Sequence, residues 1–400
     1  MARPKVSVLM SVYNGERHLR EAVESILNQT FCDFEFIIVD DASTDSTPEI
    51  LREYAKQDER IRLLRNAYNL GITRSLNRGL KLVHGEYIAH LDADDISLPS
   101  RLKLQTRFLD AHPQVGALGA AVEVIDEQSK TLSEEPVSTE HEALQALLLV
   151  DNCLCHSTLM ARRALVQALG GYDERLRYAQ DYNLWWGLSC LARLAALPEV
   201  LVQLRVVGKS ISKLHRQEQL KDALKISLKA VRESLKSRFL HEEAYERFWW
   251  AYHGQYNQLK RGDIRCLQPV WELLASRMRW RQVWRPRLLV LAYHLLSHQQ
   301  ATEGLQLISI VMQRFGQPVE WSPMLKSFVK RQSGVMRSLS IKRPPGTKER
   351  RFWLHAAADS ICRRENFSSH ASHSLPYLRF QHGMSSALMI IAVPEFTNLS

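Results

Sequence analysis

Residues 5–41 read KVSVLMSVYNGERHLREAVESILNQTFCDFEFIIVDD, and this stretch alternates extended and helical patterns. Residues 5–12 are mostly apolar or β-branched, which is typical of a buried strand. Apolar residues recur at helical spacing in 16–29, and residues 34–39 repeat the strand pattern. We predict that the two strands lie parallel, because the helix between them provides the crossover that parallel strands need.

The same alternation continues along the first half of the chain. It predicts helices at 46–54, 71–83, 99–111, 161–169 and 181–195, and strands at 61–64, 87–91, 115–125 and 200–206. This order is typical of an α/β fold with a mostly parallel sheet and helices on both faces. The polar residues 126–145 are predicted to form a loop.

The pattern changes after about residue 213. Long helical stretches rich in Leu, Lys, Arg and Trp follow, without further strands, and from 338 Ser, His and Pro become frequent. We therefore predict a first domain at 1–213, a basic helical C-terminal region at 214–337 and an irregular tail at 338–400.

The charge of the chain is unevenly distributed. The net charge is +10, and basic side chains outnumber acidic ones more than twofold in residues 201–400. In that half, Arg side chains are interleaved with Trp249, Trp250, Trp271, Trp280, Trp284 and Trp321. This composition suits an anionic lipid surface, nucleic acid, or a helical subdomain with Trp in its core. We favour peripheral contact with an anionic membrane and do not expect a nucleic acid partner.

The sequence also bears on location. No window reaches the roughly 18–20 consecutive apolar residues of a spanning helix. The six cysteines include no CxxC pair, which fits a reducing compartment. We expect a cytoplasmic protein, with any membrane contact on the inner face of the plasma membrane.

Three carboxylates follow the strand at 87–91, in the run Asp92-Ala93-Asp94-Asp95. Ligands bind beyond the carboxyl ends of parallel strands, and Asp92 and Asp94 are spaced to converge on one hard cation such as Mg²⁺ or Mn²⁺. The alternative is a solvated acidic turn that caps the next helix.

A second acidic pair, Asp40 and Asp41, ends the strand at 34–39. These carboxylates can accept hydrogen bonds from a base or a ribose, although the Ser and Thr residues that follow also suit a helix cap. The chain has neither a GxGxxG fingerprint nor a P-loop, which argues against hydride transfer and P-loop hydrolysis.

Five ordered motifs carry a family resemblance. They are SVLMSVYNGERHLREAVESILNQT, DFEFIIVDDASTDST, RNAYNLGITRSLNRGL, GEYIAHLDADDISLPSRL and GGYDERLRYAQDYNLWWGL. Together they resemble the inverting family 2 glycosyltransferases of GT-A fold, over about residues 5–212.

The resemblance implies a nucleotide-sugar donor, usually a UDP-sugar, held with Mn²⁺ or Mg²⁺. The implied contacts with base and ribose are Val12, Tyr13 and Asp40 or Asp41. The implied residues along the nucleotide pocket are Asn69, Gly71 and Arg74. Asp92 and Asp94 would form the DxD pair, with Asp94 as the direct metal ligand, and Asp95 would orient them or cap the next helix.

Asp181 matches the general base of the family. An acceptor hydroxyl must lose its proton as it attacks, so a carboxylate is needed on the acceptor side. Two departures stand out, since Gln180 replaces the usual Glu and Val207 replaces the usual His. Arg205 and Lys209 could bind phosphate or form a solvated basic loop.

Other residues near these motifs have two interpretations each. His156 could bind donor or acceptor, or be a structural histidine. Trp185 and Trp186 could stack on an acceptor sugar or belong to the core.

These observations predict a glycosyltransferase that moves a sugar from a nucleotide-diphosphate donor to a saccharide or lipid-linked acceptor in cell-envelope or exopolysaccharide synthesis. The alternatives are a sugar-nucleotidyltransferase, or a catalytically silent module that binds glycans or membranes.

Overall fold

The computed structural model describes residues 3–208, 214–236, 238–298 and 300–315. These residues form two units, one that runs to Ala230 and one that begins at Val231. The division falls inside a helix, whereas the sequence placed the domain boundary near 213. The expected tail at 338–400 lies outside the described residues.

The regular elements of the first unit follow the chain in order. The strands are β1 (Val6–Val12), β2 (Phe34–Asp40), β3 (Ile61–Arg65), β4 (Tyr87–His90), β5 (Ile96–Ser97), β6 (Val115–Ile125), β7 (Thr131–Glu135), β8 (Met160–Arg162) and β9 (Arg193–Arg205). The helices are α1 (Leu19–Leu27), α2 (Thr47–Gln57), α3 (Ile72–Leu80), α4 (Arg101–Ala111), α5 (His141–Leu147), α6 (Arg163–Ala168) and α7 (Gln180–Leu191). Helix α8 (Arg216–Leu235) crosses the division between the units.

The strands form one nine-stranded sheet in the order β3-β2-β1-β4-β8-β6-β9-β5, with β7 paired to β6. As predicted, β1 is parallel to β2 and β4, and β2 is parallel to β3. Beyond β4 the sheet is mixed, because β8 is antiparallel to both β4 and β6, whereas β6 and β9 are parallel. Strand β8 has three residues and is reached through the short helix α5, a loop and a 3-10 turn, a connection that does not impose a parallel direction.

Helices cover both faces of this sheet, which confirms the predicted α/β class. Successive strand residues point to opposite faces. Met10 shares a core with Ala22 of α1, whereas Leu9 faces α3. A Cβ at Gly79 of α3 would stand 2.4 Å from Leu9 Cδ1 and 3.1 Å from Val39 Cγ2. Glycine at this position therefore lets α3 lie close against the strands.

The predicted loop at 126–145 contains two regular elements. Strand β7 pairs with β6 as a hairpin, and its residues are exposed or half-buried, so no apolar alternation marks it. Helix α5 buries Leu144, Ala146 and Leu147 in only seven residues. Both elements are too short for hydrophobic periodicity to reveal them.

The described residues of the second unit, up to 315, are helical, which confirms the predicted helical C-terminal region. Its helices after α8 are α9 (Glu242–Tyr252), α10 (Asp263–Cys266), α11 (Gln268–Leu274), α12 (Met278–Ser297) and α13 (Ala301–Arg314). Within the described residues, every helix is too short or too polar to span a lipid bilayer.

Four tryptophans of this unit lie in its interior, whereas Trp250 is half-buried. Trp249, Trp271, Trp280 and Trp284 are each at most 3% exposed. The interpretation of these four side chains as a membrane-facing or nucleic-acid-facing aromatic surface is therefore wrong, and the core interpretation holds. Trp321 lies outside the described residues.

Candidate active site

The carboxyl ends of β1, β2 and β4 lie side by side. Val12 is in register with Asp40, and Leu9 of β1 is in register with His90 of β4. The turns beyond the strands also lie close together, since a Cβ at Gly15 would stand 4.0 Å from the Cβ of Ala93. The structure thus brings the first turn and both acidic segments to one edge of the sheet.

The turn after β1 is fixed to the turn after β2. The backbone N–H of Asn14 donates to Ser43 Oγ at 2.9 Å, and Asn14 Oδ1 accepts from the Thr44 N–H at 2.9 Å. Val12 is buried, and its carbonyl accepts from the Asp41 N–H. Tyr13 is 50% exposed, so its ring is free to contact a ligand in the region assigned to the nucleotide.

Asp40 and Asp41 are both buried but are held differently. Asp41 Oδ1 accepts from Asn66 Nδ2 at 2.6 Å and from the Leu70 N–H at 2.8 Å, and its Oδ2 accepts from the Gly71 N–H at 2.8 Å. These hydrogen bonds hold the loop at 66–71 next to the end of β2. Asp40 accepts one backbone N–H through Oδ1, and its Oδ2 lies 3.2 Å from the Nε of Arg65.

The residues assigned to the nucleotide pocket surround the start of α3. Asn69 Oδ1 accepts from the Gly71 N–H at 3.1 Å, and Gly71 has a φ of +83°, a conformation that favours glycine. Arg74 is largely exposed, and its Nε lies 3.5 Å from Glu174. Asn77 of the same helix donates to the carbonyl of Tyr172 at 2.8 Å. Helix α3 thus connects the nucleotide side to the segment before α7.

Asp92 contacts two side chains that the sequence motifs did not assign to it. Its Oδ1 lies 3.0 Å from His90 Nε2, and its Oδ2 accepts from Ser157 Oγ at 3.2 Å. Burial opposes ionisation, but the charge and hydrogen bond of His90 outweigh it and hold the pKa of Asp92 below its ordinary value. Asp92 is therefore ionised at neutral pH.

Asp95 is almost fully buried and serves the fold. It accepts a hydrogen bond from Ser157 Oγ and one of 2.8 Å from the Arg205 N–H. Burial, together with the charges of Asp94 and Asp92, raises its pKa well above the ordinary value. Helix α4 begins only at Arg101, so Asp95 does not cap it.

Asp94 differs from Asp92 and Asp95 in its hydrogen bonds. Within the described segments, no other residue donates a hydrogen bond to its side chain, which receives only its own backbone N–H. Burial and the neighbouring charge of Asp92 raise its pKa to about 6. Two adjacent carboxylates that repel each other fit a hard divalent cation, which prefers oxygen ligands.

Asp181 lies in the first turn of α7. Its Oδ2 accepts from Asn152 Nδ2 at 2.8 Å, and the backbone N–H groups of Tyr182 and of Asp181 itself also reach the carboxylate. Burial raises its pKa to about 6, and the charge of Asp92 adds to the shift. Burial and the charges of Asp181 and Asp92 likewise raise the pKa of Tyr172. The loop at 91–95 between β4 and β5, which we call the DxD loop, and the start of α7 therefore lie within electrostatic reach of each other.

A stacked histidine pair lies beneath Asp92. The rings of His90 and His156 are 3.5 Å apart between centroids, and His156 Nε2 lies 2.8 Å from the Tyr172 hydroxyl. Donor atoms of His90, Asp92 and His156 lie within 4.8 Å of one another. His156 is buried, and burial lowers its pKa well below the ordinary value, with the charge of His90 adding to the effect. His156 is therefore neutral at pH 7, and its ring stacks on His90, which contacts Asp92.

The Arg205 side chain is engaged within the fold, which disagrees with both the phosphate-binding and the solvated-loop interpretations. It is fully buried, and its Nε donates to the Asp94 carbonyl at 2.9 Å. The other guanidinium nitrogens donate to Ser129 Oγ at 2.9 Å and to Glu21 at 2.7 Å. Arg205 therefore anchors the DxD loop, and Lys209 lies outside the described residues.

Four further sequence candidates can be placed. Trp185 and Trp186 are 1% and 3% exposed, so they belong to the core and do not form a stacking surface. Gln180 is buried, and its Oε1 has no hydrogen-bond partner in the described part of the chain. Val207 is half-buried and offers no metal-ligating atom.

Sequence reasoning missed Asn152, Ser157 as a link between Asp92 and Asp95, His90 and Tyr172. Each acts through a contact with a residue distant in the chain, except His90, which lies two residues before Asp92. His156-Ser157-Thr158 was noticed as a segment, but nothing in it indicates which strand end it approaches.

Known proteins match the same part of the chain. The glycosyl transferase family 2 model matches residues 7–170. An uncharacterized glycosyltransferase of Haemophilus influenzae is 36% identical over 232 residues, which cover 56% of this chain and 72% of the relative. The amylovoran biosynthesis glycosyltransferase AmsE of Erwinia amylovora is 32% identical over 212 residues, which cover 52% of this chain and 78% of AmsE.

A solved structure gives the fold. The crystal structure of S. aureus TarS 1-349 in complex with UDP-GlcNAc aligns with a TM-score of 0.51 at 18% identity, covering 79% of this chain and 93% of that one. Asp40 at the end of β2, and Asp92 and Asp94 in the loop after β4, all lie within the residues matched by the family model. The chain is therefore a glycosyltransferase of GT-A fold and belongs to glycosyl transferase family 2.

Proposed function

We propose that this glycosyltransferase inverts the anomeric carbon and transfers a sugar from a nucleotide-diphosphate donor, most simply a UDP-sugar, to a saccharide or lipid-linked acceptor. The observation that carries the proposal is the pairing of two acidic centres. Among the described residues, no other residue donates a hydrogen bond to the Asp94 side chain, which lies beside the ionised Asp92. Asp181 lies within electrostatic reach of Asp92 and accepts a hydrogen bond from Asn152. Inversion by a single displacement uses a base on the acceptor side and charge neutralisation of the diphosphate on the other side, and two acidic centres, one of them holding a cation, can supply both.

The nucleotide would bind across the turns after β1 and β2. The exposed ring of Tyr13 suits stacking on a base, and Asp40 is held by fewer donors than Asp41. We therefore assign base and ribose contacts to Tyr13 and Asp40, with Val12 contributing backbone. Asp41 would act indirectly, because it orders the loop that contains Asn69 and Gly71. Arg74 would lie at the rim.

Asp94 would be the direct cation ligand and Asp92 its partner. Mn²⁺ or Mg²⁺ bound there supplies Lewis-acid stabilisation of the charge on the departing diphosphate. The mutual repulsion that raises the pKa of Asp94 disappears when a cation binds, so these side chains suit such a ligand. Val207 contributes no ligand, which leaves more of the coordination to carboxylates, phosphates and water.

Asp181 would act as general base. Its carboxylate accepts the proton of the acceptor hydroxyl, the hydroxyl oxygen bonds to the anomeric carbon, and the bond from that carbon to the diphosphate oxygen breaks. A pKa of about 6 makes Asp181 a stronger base than an ordinary aspartate while it stays mostly ionised at neutral pH.

We assign this chemistry to a catalytic domain at 1–213 and propose a role in cell-envelope or exopolysaccharide synthesis. AmsE is named for amylovoran biosynthesis, which supports that setting. An anionic membrane remains our proposed partner for residues 214–337. That proposal rests on their positive charge, since four of the tryptophans are buried.

A thermal-shift screen tests donor and metal together. UDP-glucose, UDP-galactose, UDP-GlcNAc and GDP-mannose are each added with and without Mn²⁺. We expect one donor to raise the melting temperature most, and only with the metal present. Asp94→Asn should lose the metal-dependent part of the shift, whereas Asp58→Asn, which removes a carboxylate at the end of α2, should retain it.

The same donor then tests the base. Asp181→Asn should retain the thermal shift but lose about 10²- to 10⁴-fold in transfer or in hydrolysis of the donor. Wild-type rates in Asp181→Asn would remove the assigned base. A metal-independent shift in the wild-type protein would remove the cation site.

A further inference from the structure

We infer that Asn152 is a positioning residue that fixes the Asp181 carboxylate in one orientation toward the acceptor. This inference rests on the proposed role of Asp181 as the base. Asn152 lies in the loop between α5 and the 3-10 turn at His156–Thr158, 29 residues from Asp181 in the chain. No sequence motif assigned a role to it.

The geometry of Asn152 is specific. Its Nδ2 donates to Asp181 Oδ2 at 2.8 Å, while its Oδ1 faces the backbone N–H of Leu154 at 3.4 Å. Its own backbone N–H donates to Asp151 Oδ1 at 2.8 Å. The amide group therefore has a donor end toward the carboxylate and an acceptor end toward a backbone N–H. Rotation by 180° would place its oxygen against the carboxylate, so one orientation is favoured.

Asp181 needs such a partner because its other side-chain neighbours do not stabilise a negative charge. Asp92, in the DxD loop, carries a like charge that disfavours the ionised form of Asp181. Tyr172 and Cys155 face it from two other segments, and burial raises the pKa of each, so both are neutral at pH 7. Among the described residues whose side chains reach Asp181, Asn152 is the one that donates a hydrogen bond.

The proposed role of Asn152 predicts a change in the pKa of Asp181, which a purely structural role of Asn152 would not cause. A hydrogen bond to the charged form of an acid favours ionisation, so its loss should raise the pKa of Asp181. Asn152→Ala removes the donor. Asn152→Asp keeps the size of the side chain but turns the donor into a second negative charge, so it should raise the pKa further.

The test needs no substrate in its first arm. Urea unfolding is measured between pH 4 and 8 for wild type, Asp181→Asn, Asn152→Ala, Asn152→Asp and the two double variants with Asp181→Asn. The pH-dependent difference that Asp181→Asn makes reports the titration of Asp181. We expect its midpoint to rise by about 0.5–1 pH unit with Asn152→Ala, and by more with Asn152→Asp.

The second arm measures donor hydrolysis or transfer with the UDP-sugar that gives the largest Mn²⁺-dependent thermal shift. We expect Asn152→Ala to lower kcat about 10- to 100-fold with an unchanged KM for the donor, and its acid limb to move to higher pH. Gln145→Ala is the matched control. It removes an amide that donates to the Ser189 carbonyl at the opposite end of α7, at 3.3 Å, and should move neither midpoint nor limb.

Two outcomes overturn the inference. Asn152→Ala and Asn152→Asp could lower stability equally at all pH values with an unmoved midpoint, or the Gln145 variant could reproduce their effects. Failure of the proposed function looks different, because Asp181→Asn would then transfer sugar at the wild-type rate. If the midpoint still moved in that case, the Asn152–Asp181 orientation would stand without the catalytic role.

Discussion

The buried guanidinium of Arg205 donates a hydrogen bond of 2.9 Å to the backbone carbonyl of Asp94, at the centre of the DxD loop. The backbone N–H of Arg205 also donates to the Asp95 carboxylate at 2.8 Å. The end of β9 therefore fixes both the backbone and a side chain of the loop that carries the proposed cation ligand. Loss of this residue should affect metal binding without removing any ligand.

We predict that Arg205→Ala lowers the free energy of unfolding by about 2–4 kcal/mol, because it leaves buried hydrogen-bond acceptors without partners. Arg205→Lys keeps the charge, but its single nitrogen cannot reach all the acceptors that the guanidinium contacts. We therefore expect a smaller loss of stability and a roughly tenfold weaker Mn²⁺ dependence of donor binding. Urea unfolding and Mn²⁺ titration measure these effects. Arg17→Ala removes an exposed ion pair with Glu127 and should destabilise the protein much less than Arg205→Ala. Equal effects of Arg205→Ala and Arg17→Ala would contradict the anchoring role.

Asp40 and Asp41 should respond differently to the same substitution. Asp41 uses both carboxylate oxygens for three donors, and asparagine has only one acceptor oxygen, so Asp41→Asn should cost about 1–3 kcal/mol. In Asp40→Asn the oxygen can still accept from Ser43 N–H, and the lost partner is the largely exposed Arg65, so the protein should lose less than about 1 kcal/mol. Thermal or urea unfolding distinguishes the two. A more destabilising Asp40 variant would mean that Asp41 does not organise the loop.

Acidic pH should slow transfer through Asp181. A base works only when deprotonated, and burial raises the pKa of Asp181 to about 6. The ionised fraction, and hence kcat/KM, should fall about tenfold per pH unit below that value and level off above it. The profile is measured at saturating Mn²⁺, so that weaker cation binding at low pH does not add to the slope. A rate independent of pH between 5 and 7 would exclude Asp181 as the titrating base.

Two adjacent glycines provide a matched pair in the segment before α7. Gly170 and Gly171 have φ values of +79° and +84°, so alanine is strained at both positions, at a cost of about 1–2 kcal/mol. Only at Gly171 would a Cβ also crowd a neighbour, at 2.6 Å from Asn77 Oδ1. That oxygen accepts from the Tyr172 N–H at 2.9 Å. Gly171→Ala should therefore destabilise the protein more than Gly170→Ala, as unfolding measurements would show. Equal losses would indicate that Asn77 moves aside freely.

The sequence was most informative where a pattern repeats over many residues. Strands β1, β2 and β4 are almost fully buried, and their parallel order follows from the crossover helices between them. Because parallel strands share an edge, the placement of Asp40 beside Val12 and near the Asp92 loop was also predictable.

The remaining features depend on contacts that local patterns do not encode. Strand β8 has three residues, and only its pairing with β4 and β6 makes it a strand. The different duties of Asp94 and Asp95 follow from Arg205 and Ser157, which lie more than 60 residues away. Asn152 reaches Asp181 through a loop, so no spacing rule could have linked them.

The inward packing of Trp249, Trp271, Trp280 and Trp284 has a consequence for how the helical unit would hold a partner. These four buried side chains cannot insert into a bilayer. Their unit would therefore bind an anionic membrane through its Lys and Arg side chains, with release of counterions. Such adhesion weakens steeply as ionic strength rises. Binding to vesicles of acidic lipids should therefore be lost in a few hundred millimolar salt. Binding through aromatic rings inserted into the bilayer would resist the same salt.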